Sequence, residues 1–146
     1  MKKLLFIFIL APSMLIAQNA CKTCSEFSKS KEWSQFMKCV TKEIEKTSNI
    51  SDYMCRATSY GFVFANLDSI DSFYNDGEYI LKEEALNLAL KDFNTIIKID
   101  STFANGIPFK LRSEMKKQLG KDYCNDMKMY CKITKRCEDY ERECQK

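Results

Sequence analysis

Histidine is absent from the 146-residue sequence, and glycine and proline are scarce, with four and two copies. Without histidine the chain has no Ser-His or Cys-His catalytic pair, no imidazole metal ligand and no imidazole that titrates near neutral pH. A β-sandwich with many tight turns is disfavoured as well, because such turns usually need glycine or proline. The length allows one domain of ordinary size. Composition therefore argues against much familiar catalysis and against a turn-rich β fold.

The first seventeen residues have the features of a secretory signal peptide. Lys2 and Lys3 precede a short apolar stretch that ends at Ala17, a small residue suited to cleavage. We predict cleavage there or within a residue or two, which leaves residues 18–146 as a single helical domain. An uncleaved N-terminal anchor is the alternative, although the stretch is short and interrupted for a membrane span. The leader resembles those of the Bacteroidetes, which implies a periplasmic or secreted bacterial protein.

The chain that remains after this cleavage is close to neutral. The leader contains two lysines and no acidic residue, so its removal lowers the net charge from +3 to +1. A charge this small gives no electrostatic reason to bind nucleic acid or an acidic membrane surface. We therefore expect neither partner, and no membrane span once the leader is removed.

Eight cysteines follow the predicted cleavage point. They are Cys21, Cys24, Cys39, Cys55, Cys124, Cys131, Cys137 and Cys144. An even number of cysteines in an exported chain indicates disulfides, because the compartment is oxidising. Export also disfavours free thiolates, and with them a zinc site. We expect no bound metal and no cofactor.

Five stretches carry apolar residues at the three- and four-residue steps of amphipathic helices. They are residues 33–44, 53–67, 86–97, 111–119 and 123–130. The polar connection 47–52 offers Ser51 or Asp52 as the N-cap of the second helix. Pro108 suits the start of the fourth helix and Gly120 suits its end. The chain therefore reads as a series of helices.

The first helical hairpin predicts one disulfide by its symmetry. Cys39 and Cys55 stand eight residues either side of Thr47, so helices that fold back on each other bring the two cysteines level. We predict the bridge Cys39–Cys55, which leaves Cys21 and Cys24 as a local staple. A Cys-x-x-Cys pair can instead be a redox centre, but no βαβ pattern surrounds this one.

The four C-terminal cysteines have spacings of seven, six and seven residues. Within one straight helix, neighbours seven apart are separated by ~10 Å along the axis, beyond disulfide reach. A reversal around residues 133–135 would allow the nested pairs Cys131–Cys137 and Cys124–Cys144, which we predict because local loops close most easily. The alternative is one long helix whose cysteines reach other helices.

An internal repeat is the most informative pattern in the chain. Residues 90–100 align with residues 124–134 at an offset of 34. The identical positions are Asp92 with Asp126, Lys98 with Lys132 and Ile99 with Ile133. Thirty-four residues is the period of the tetratricopeptide repeat, a helical hairpin that stacks on its neighbours.

Residues 85–133 resemble that family. Ala89, Phe93 and Ile96 fall at the small, aromatic and small packing positions of a repeat's second helix, although isoleucine is large for its place. The segment 68–79 is either a poor first helix or an insertion. We predict an all-α fold of disulfide-stapled antiparallel helical hairpins, tetratricopeptide-like in arrangement. An unrelated disulfide-stapled helical bundle is the alternative.

Two functions remain, and neither rests on a recognisable catalytic motif. The resemblance implies a non-enzymatic protein-binding module whose groove holds a peptide or a helix of a partner, including an inhibitor or immunity-type partner of another envelope protein. The first helices would line that groove, with Arg56, Tyr60, Arg112 and Lys116 as contacts. The alternative is thiol–disulfide exchange at the Cys-x-x-Cys pair. We predict the binding module, and no enzyme.

Overall fold

The structure, a computed structural model, describes residues 19–66, 74–75 and 78–145. The predicted signal peptide and most of the segment 68–79 lie outside these ranges. The described helices are α1 (Asn19–Thr23), α2 (Ser25–Lys29), α3 (Trp33–Thr47), α4 (Ile50–Asn66), α5 (Lys82–Ile99), α6 (Ile107–Gln118), α7 (Cys124–Thr134) and α8 (Glu138–Cys144). Two short strands, β1 (Tyr74–Asn75) and β2 (Glu78–Tyr79), pair antiparallel. The predicted all-α, disulfide-stapled class is confirmed.

The hydrophobic core lies among α1, α3, α4 and α5. It includes Ala20, Phe36, Met37, Val40, Ile44, Ala57, Tyr60, Val63, Ala85, Ala89, Phe93 and Ile96. These are largely the apolar stripes that the sequence pattern marks, so helical periodicity identified the buried faces correctly. The strongest helix pair is α4 with α5, and α6, α7 and α8 then follow in succession, each packed on the one before. Helices α7 and α8 therefore lie outside the main core, and α6 packs against it through Leu111 and Met115.

Helix α4 has its N-cap two or three residues before the predicted one. The side-chain oxygen of Asn49 accepts the backbone N–H of Ser51 at 2.9 Å, so Asn49 takes the capping role expected of Ser51 or Asp52. Asp52 is buried instead, at 1% exposed. Its carboxylate accepts the N–H of Ala20 at 2.9 Å and the hydroxyl of Thr47 at 2.7 Å. The aspartate thus ties α1 to the α3–α4 hairpin.

The N-terminal disulfides differ from the predicted pairs. Cys21 bonds Cys55 and Cys24 bonds Cys39, so the predicted bridge Cys39–Cys55 and the local staple Cys21–Cys24 are both wrong. The physical reason is the position of α1, which packs into the angle of the α3–α4 hairpin and buries Ala20 and Cys24 completely. Each cysteine of the Cys-x-x-Cys pair then faces a cysteine of a different helix.

The C-terminal disulfides are the nested pairs predicted from their spacing. Cys124 bonds Cys144 and Cys131 bonds Cys137. The chain reverses after α7 at Lys135, whose φ of 62° is left-handed, and α8 returns along α7. The alternative of one long helix is therefore wrong.

Among the described helices, none combines the length and apolar character that a membrane crossing requires. The four disulfides fit an oxidising compartment.

Candidate functional site

Arg56 on α4 joins three helices through one guanidinium. Its Nε and Nη2 atoms donate to the two carboxylate oxygens of Asp92 on α5, each at 2.8 Å, in a bidentate pair. Its Nη1 atom donates to the hydroxyl of Thr41 on α3 at 3.1 Å. Asp92 is 2% exposed. Because this carboxylate is buried, its charge depends on the arginine for compensation.

The surroundings keep this guanidinium charged. Burial lowers the pKa of Arg56. The hydrogen bonds to Asp92 and its negative charge raise the pKa by more than burial lowers it, so the net pKa lies above its ordinary value. The Arg56 guanidinium carbon also lies 5.9 Å from the ring centre of Tyr53. The pair is a permanent ionic contact between α4 and α5.

Arg112 on α6 repeats this arrangement one helix pair further on. Its Nε atom donates to Asp126 of α7 at 2.8 Å, and its Nη2 atom donates to the other carboxylate oxygen. Its Nη1 atom donates to the side-chain oxygen of Asn94 on α5 at 2.6 Å. Lys116 adds a second cation, with its Nζ atom 3.0 Å from Asp126. Asp126 is fully buried and shared by two positive charges.

The two networks correspond position by position. In each, an arginine binds an aspartate on the following helix and a polar side chain on the preceding helix. The aspartates, Asp92 and Asp126, are the identical pair at the offset of 34, so the sequence contained their signal. The arginines lack that offset because the connection from α4 to α5, residues 67–81, is longer than the connection from α6 to α7. Sequence reasoning therefore missed the ion pairs.

The four predicted partner contacts occupy interhelical positions. Arg56 and Arg112 keep 18% and 15% of their side chains exposed, and Lys116 keeps 25%. Tyr60 is buried at 4% exposed and offers its ring to the core. The structure shows these residues holding helices together. A partner-binding role for them stays a prediction.

A different part of α4 faces outward. Met54, Thr58 and Phe62 recur at steps of four residues and form one face of the helix, named here the α4 stripe. Phe62 is 48% exposed, whereas its chain neighbours Gly61 and Val63 are more buried. Its ring centre lies 5.0 Å from that of Trp33 on α3. Sequence reasoning missed this stripe because its apolar members alternate with a polar one.

Helix α6 reaches α4 at Gly61, the residue before Phe62. A Cβ atom placed on Gly61 would lie 2.8 Å from the methyl carbon of Met115, closer than real Cβ contacts. The absence of a side chain at Gly61 therefore lets Met115 approach α4. Within the stripe, Phe62 contacts Trp33 and is exposed, whereas Met54 is partly buried.

The described residues offer little for covalent or metal chemistry. All eight cysteines form disulfides, so no free thiol is present. Within the described residues, no group of three or more acidic or cysteine side chains could hold a metal ion. A cleft of about 580 Å³ runs along α3, but its lining mixes lysine and glutamate with Phe27 and gathers no catalytic pair.

Comparison of the chain with protein-family models, with curated proteins and with solved structures found no match. The function is therefore inferred from the geometry of this chain.

Proposed function

We propose that this protein is an exported, non-enzymatic protein-binding module that holds its partner on the α4 stripe. The observation that carries the proposal is Phe62, a large aromatic residue that is 48% exposed beside Trp33. Aromatic side chains are enriched among the residues that dominate binding energy at protein interfaces. Exposed apolar surface rimmed by polar residues is typical of interaction sites.

The scaffold around the stripe is held rigidly, which suits a binding surface. Disulfides fasten α1 and α2 to α3 and α4, and the ion pair of Arg56 with Asp92 fixes α4 against α5. A surface that is ordered before binding loses less conformational entropy when a partner docks. The partner we propose is a peptide or helix with an apolar face, in the helix-in-groove manner.

The tetratricopeptide-like arrangement is part of the proposal. Two Arg–Asp networks of the same form support it, because their aspartates, Asp92 and Asp126, lie 34 residues apart in the sequence. Arg112 and Lys116 retain some exposure and would meet acidic residues at the rim of the partner. The basic leader and the four disulfides favour the bacterial periplasm or the exterior as the location. An inhibitor or immunity-type partner of an envelope protein is a special case of this role.

Thiol–disulfide exchange at the Cys-x-x-Cys pair is less well supported. That activity requires Cys21 and Cys24 to form a disulfide with each other, whereas each is bonded to another helix. A thiol count on the unreduced exported protein and an insulin-reduction assay test the alternative. Zero free thiols with no reductase activity would remove it.

The binding proposal is tested by cross-linking in the intact cell envelope, with Phe62→Lys compared against Ile99→Lys. Ile99 is also apolar and 56% exposed, but lies on a different helix from the stripe, at the C-terminal end of α5. We expect Phe62→Lys to lower partner recovery at least about tenfold, as for a residue at the centre of an interface. The control variant should retain recovery.

Circular dichroism must show that both variants fold. Equal recovery from the two variants, or repeated failure to recover any specific partner from the unaltered protein, would contradict the proposal.

A further inference from the structure

The two pairs of disulfides differ in how deeply their cysteines are buried. Each N-terminal bridge contains one buried cysteine, Cys24 at 0% and Cys55 at 6% exposed. The C-terminal cysteines are all partly exposed: Cys124, Cys131, Cys137 and Cys144. A thiolate that attacks a disulfide must reach one sulfur and expel the other. Attack on an N-terminal bridge would leave a thiolate in the core, where charge is costly.

The helices that these bridges fasten also differ in their other attachments. Helix α8 has no buried residue. Besides its disulfides, its contacts with the rest of the chain include an ion pair of Glu143 with Lys117 at 2.7 Å and a longer hydrogen bond from Tyr123 at 3.4 Å. A helix of seven residues is too short to persist alone in water. The bridges are therefore the main attachment of α8.

The N-terminal segment is held differently. Ala20 is fully buried, and its N–H donates to the buried carboxylate of Asp52. Packing and a buried hydrogen bond would still hold α1 if its bridges opened. Only the C-terminal bridges combine access for a reductant with a helix that depends on them.

The location of Cys124 favours opening of its bridge. Cys124 is the first residue of α7, at the helix end where the peptide dipoles stabilise an anion. Attack on Cys144 would expel Cys124 as a thiolate at that position. A thiol whose anion is stabilised is a faster leaving group.

We propose that the two C-terminal disulfides are a site of reversible reduction by a dithiol, which releases α8 from α7. One thiolate of the dithiol attacks Cys144 and forms a mixed disulfide, and Cys124 leaves and takes up a proton. The second thiol of the dithiol then displaces Cys144, which also gains a proton. The bridge has gained two electrons and two protons, and the dithiol has become a disulfide. A second dithiol opens Cys131–Cys137 in the same way.

Release of α8 uncovers the face of α7 that it covers. That face contains Cys124, Cys131 and Met127, whose sulfur lies 3.8 Å from the sulfur of Cys144. The α4 stripe takes no part in this step, so the proposal goes beyond the binding role and does not depend on it. Reoxidation closes both bridges and restores the covered state.

The test is the rate at which each bridge of the full exported chain opens in dilute dithiothreitol. Samples are alkylated at intervals and the labelled cysteines are identified by peptide mapping. We expect the four C-terminal cysteines to be labelled about tenfold faster than the four N-terminal ones. At that stage amide hydrogen exchange should show residues 138–144 unprotected and residues 82–99 still protected. Equal rates, or faster opening of the N-terminal bridges, would overturn the proposal.

A variant with all four C-terminal cysteines changed to serine tests the release separately. It should show residues 138–144 unprotected without any reductant. The matched control, Cys21→Ser with Cys55→Ser, keeps the C-terminal bridges and should keep α8 protected. Protection of α8 in the four-serine variant would show that packing holds the helix, and would overturn the proposal even if the bridges open selectively.

Discussion

The two Arg–Asp networks hold their helices in very different surroundings. Asp92 lies on α5, which buries six other residues, including Phe93 and Ile96 on the same side. Asp126 lies on α7, where it is the only buried residue. In the first region the ion pair adds to hydrophobic packing, whereas in the second it takes the place of packing. The Arg–Asp pair therefore contributes a smaller part of what holds α5 in place than of what holds α7 in place.

The number of cations at each carboxylate follows this difference. Asp92 meets one guanidinium, while Asp126 meets a guanidinium and an ammonium. A buried ion pair contributes little net stability relative to apolar residues, but loss of one partner leaves a buried charge uncompensated. Helix α7 should therefore be more sensitive than α5 to the loss of its carboxylate, because α7 buries no other residue.

The largest effect is expected from Asp126→Ala. The change leaves the side chains of Arg112 and Lys116 without their shared partner and removes the one buried residue of α7. We expect a loss of about 3–5 kcal/mol in the free energy of unfolding, as for other broken buried pairs. Urea unfolding measures the loss, and amide exchange should show residues 124–134 unprotected.

The matched change Asp92→Ala tests the contrast directly. It leaves one cation, Arg56, without its counter-ion and keeps the apolar contacts of α5. We therefore expect the free energy of unfolding to fall by about 3 kcal/mol, with the amides of α5 still protected from exchange. A loss as large as that of Asp126→Ala, with equal loosening of both helices, would contradict the comparison.

A second test replaces each ion pair by apolar residues. Arg56→Met with Asp92→Leu should be neutral or stabilising by about 1–4 kcal/mol, because Asp92 lies on a helix that already buries Phe93 and Ile96. Arg112→Met with Asp126→Leu should remain destabilising, since Lys116 is left facing a leucine. Addition of Lys116→Met should recover much of the loss. Urea unfolding of the three variants would separate these outcomes. If Arg112→Met with Asp126→Leu is as stable as the unaltered protein, the role given to Lys116 is wrong.

The smallest effect is expected from the exposed pair of Lys117 and Glu143, which tests whether burial is what makes the Arg–Asp pairs matter. The hydrogen bond from Lys117 lowers the pKa of Glu143 below its ordinary value of 4.5. A carboxylate with a lowered pKa in the folded state stabilises that state above its ordinary pKa, and this stabilisation is lost as the pH falls through the lowered value.

Glu143→Gln should therefore lower the melting temperature slightly at pH 7, and the difference should disappear in strong acid. Glu141→Gln is the control, since Glu141 has no ion-pair partner among the described residues. A Glu143→Gln effect as large as that of the buried aspartates would show that burial is not the cause.

Part of this architecture could be predicted from the sequence. The apolar steps predict α3, α4, α5, α6 and α7, and the spacing of the last four cysteines predicts their nested bridges. These features are local, since each depends on residues a few turns apart in the chain. The N-terminal bridges could not be predicted in the same way, because α1 and α2 are five residues each and carry no periodic signal.

The residues of the candidate site also divide into those that local sequence indicates and those that only packing reveals. The predicted repeat places Arg56, Tyr60, Arg112 and Lys116 as partner contacts, and the structure brings the three cationic side chains among them to buried carboxylates. The exposure of Phe62 depends on which faces of α4 other helices cover, and no local pattern contains that information.

The sequence by itself determined where the helices lie, which of their faces are apolar and how the C-terminal hairpin closes. Tertiary structure decided the partners of Cys21 and Cys24, the two ion pairs and the exposed stripe of α4. The physical reason is range. Helical periodicity is set by neighbours in the chain, whereas a disulfide partner or a buried counter-ion depends on how separate helices pack.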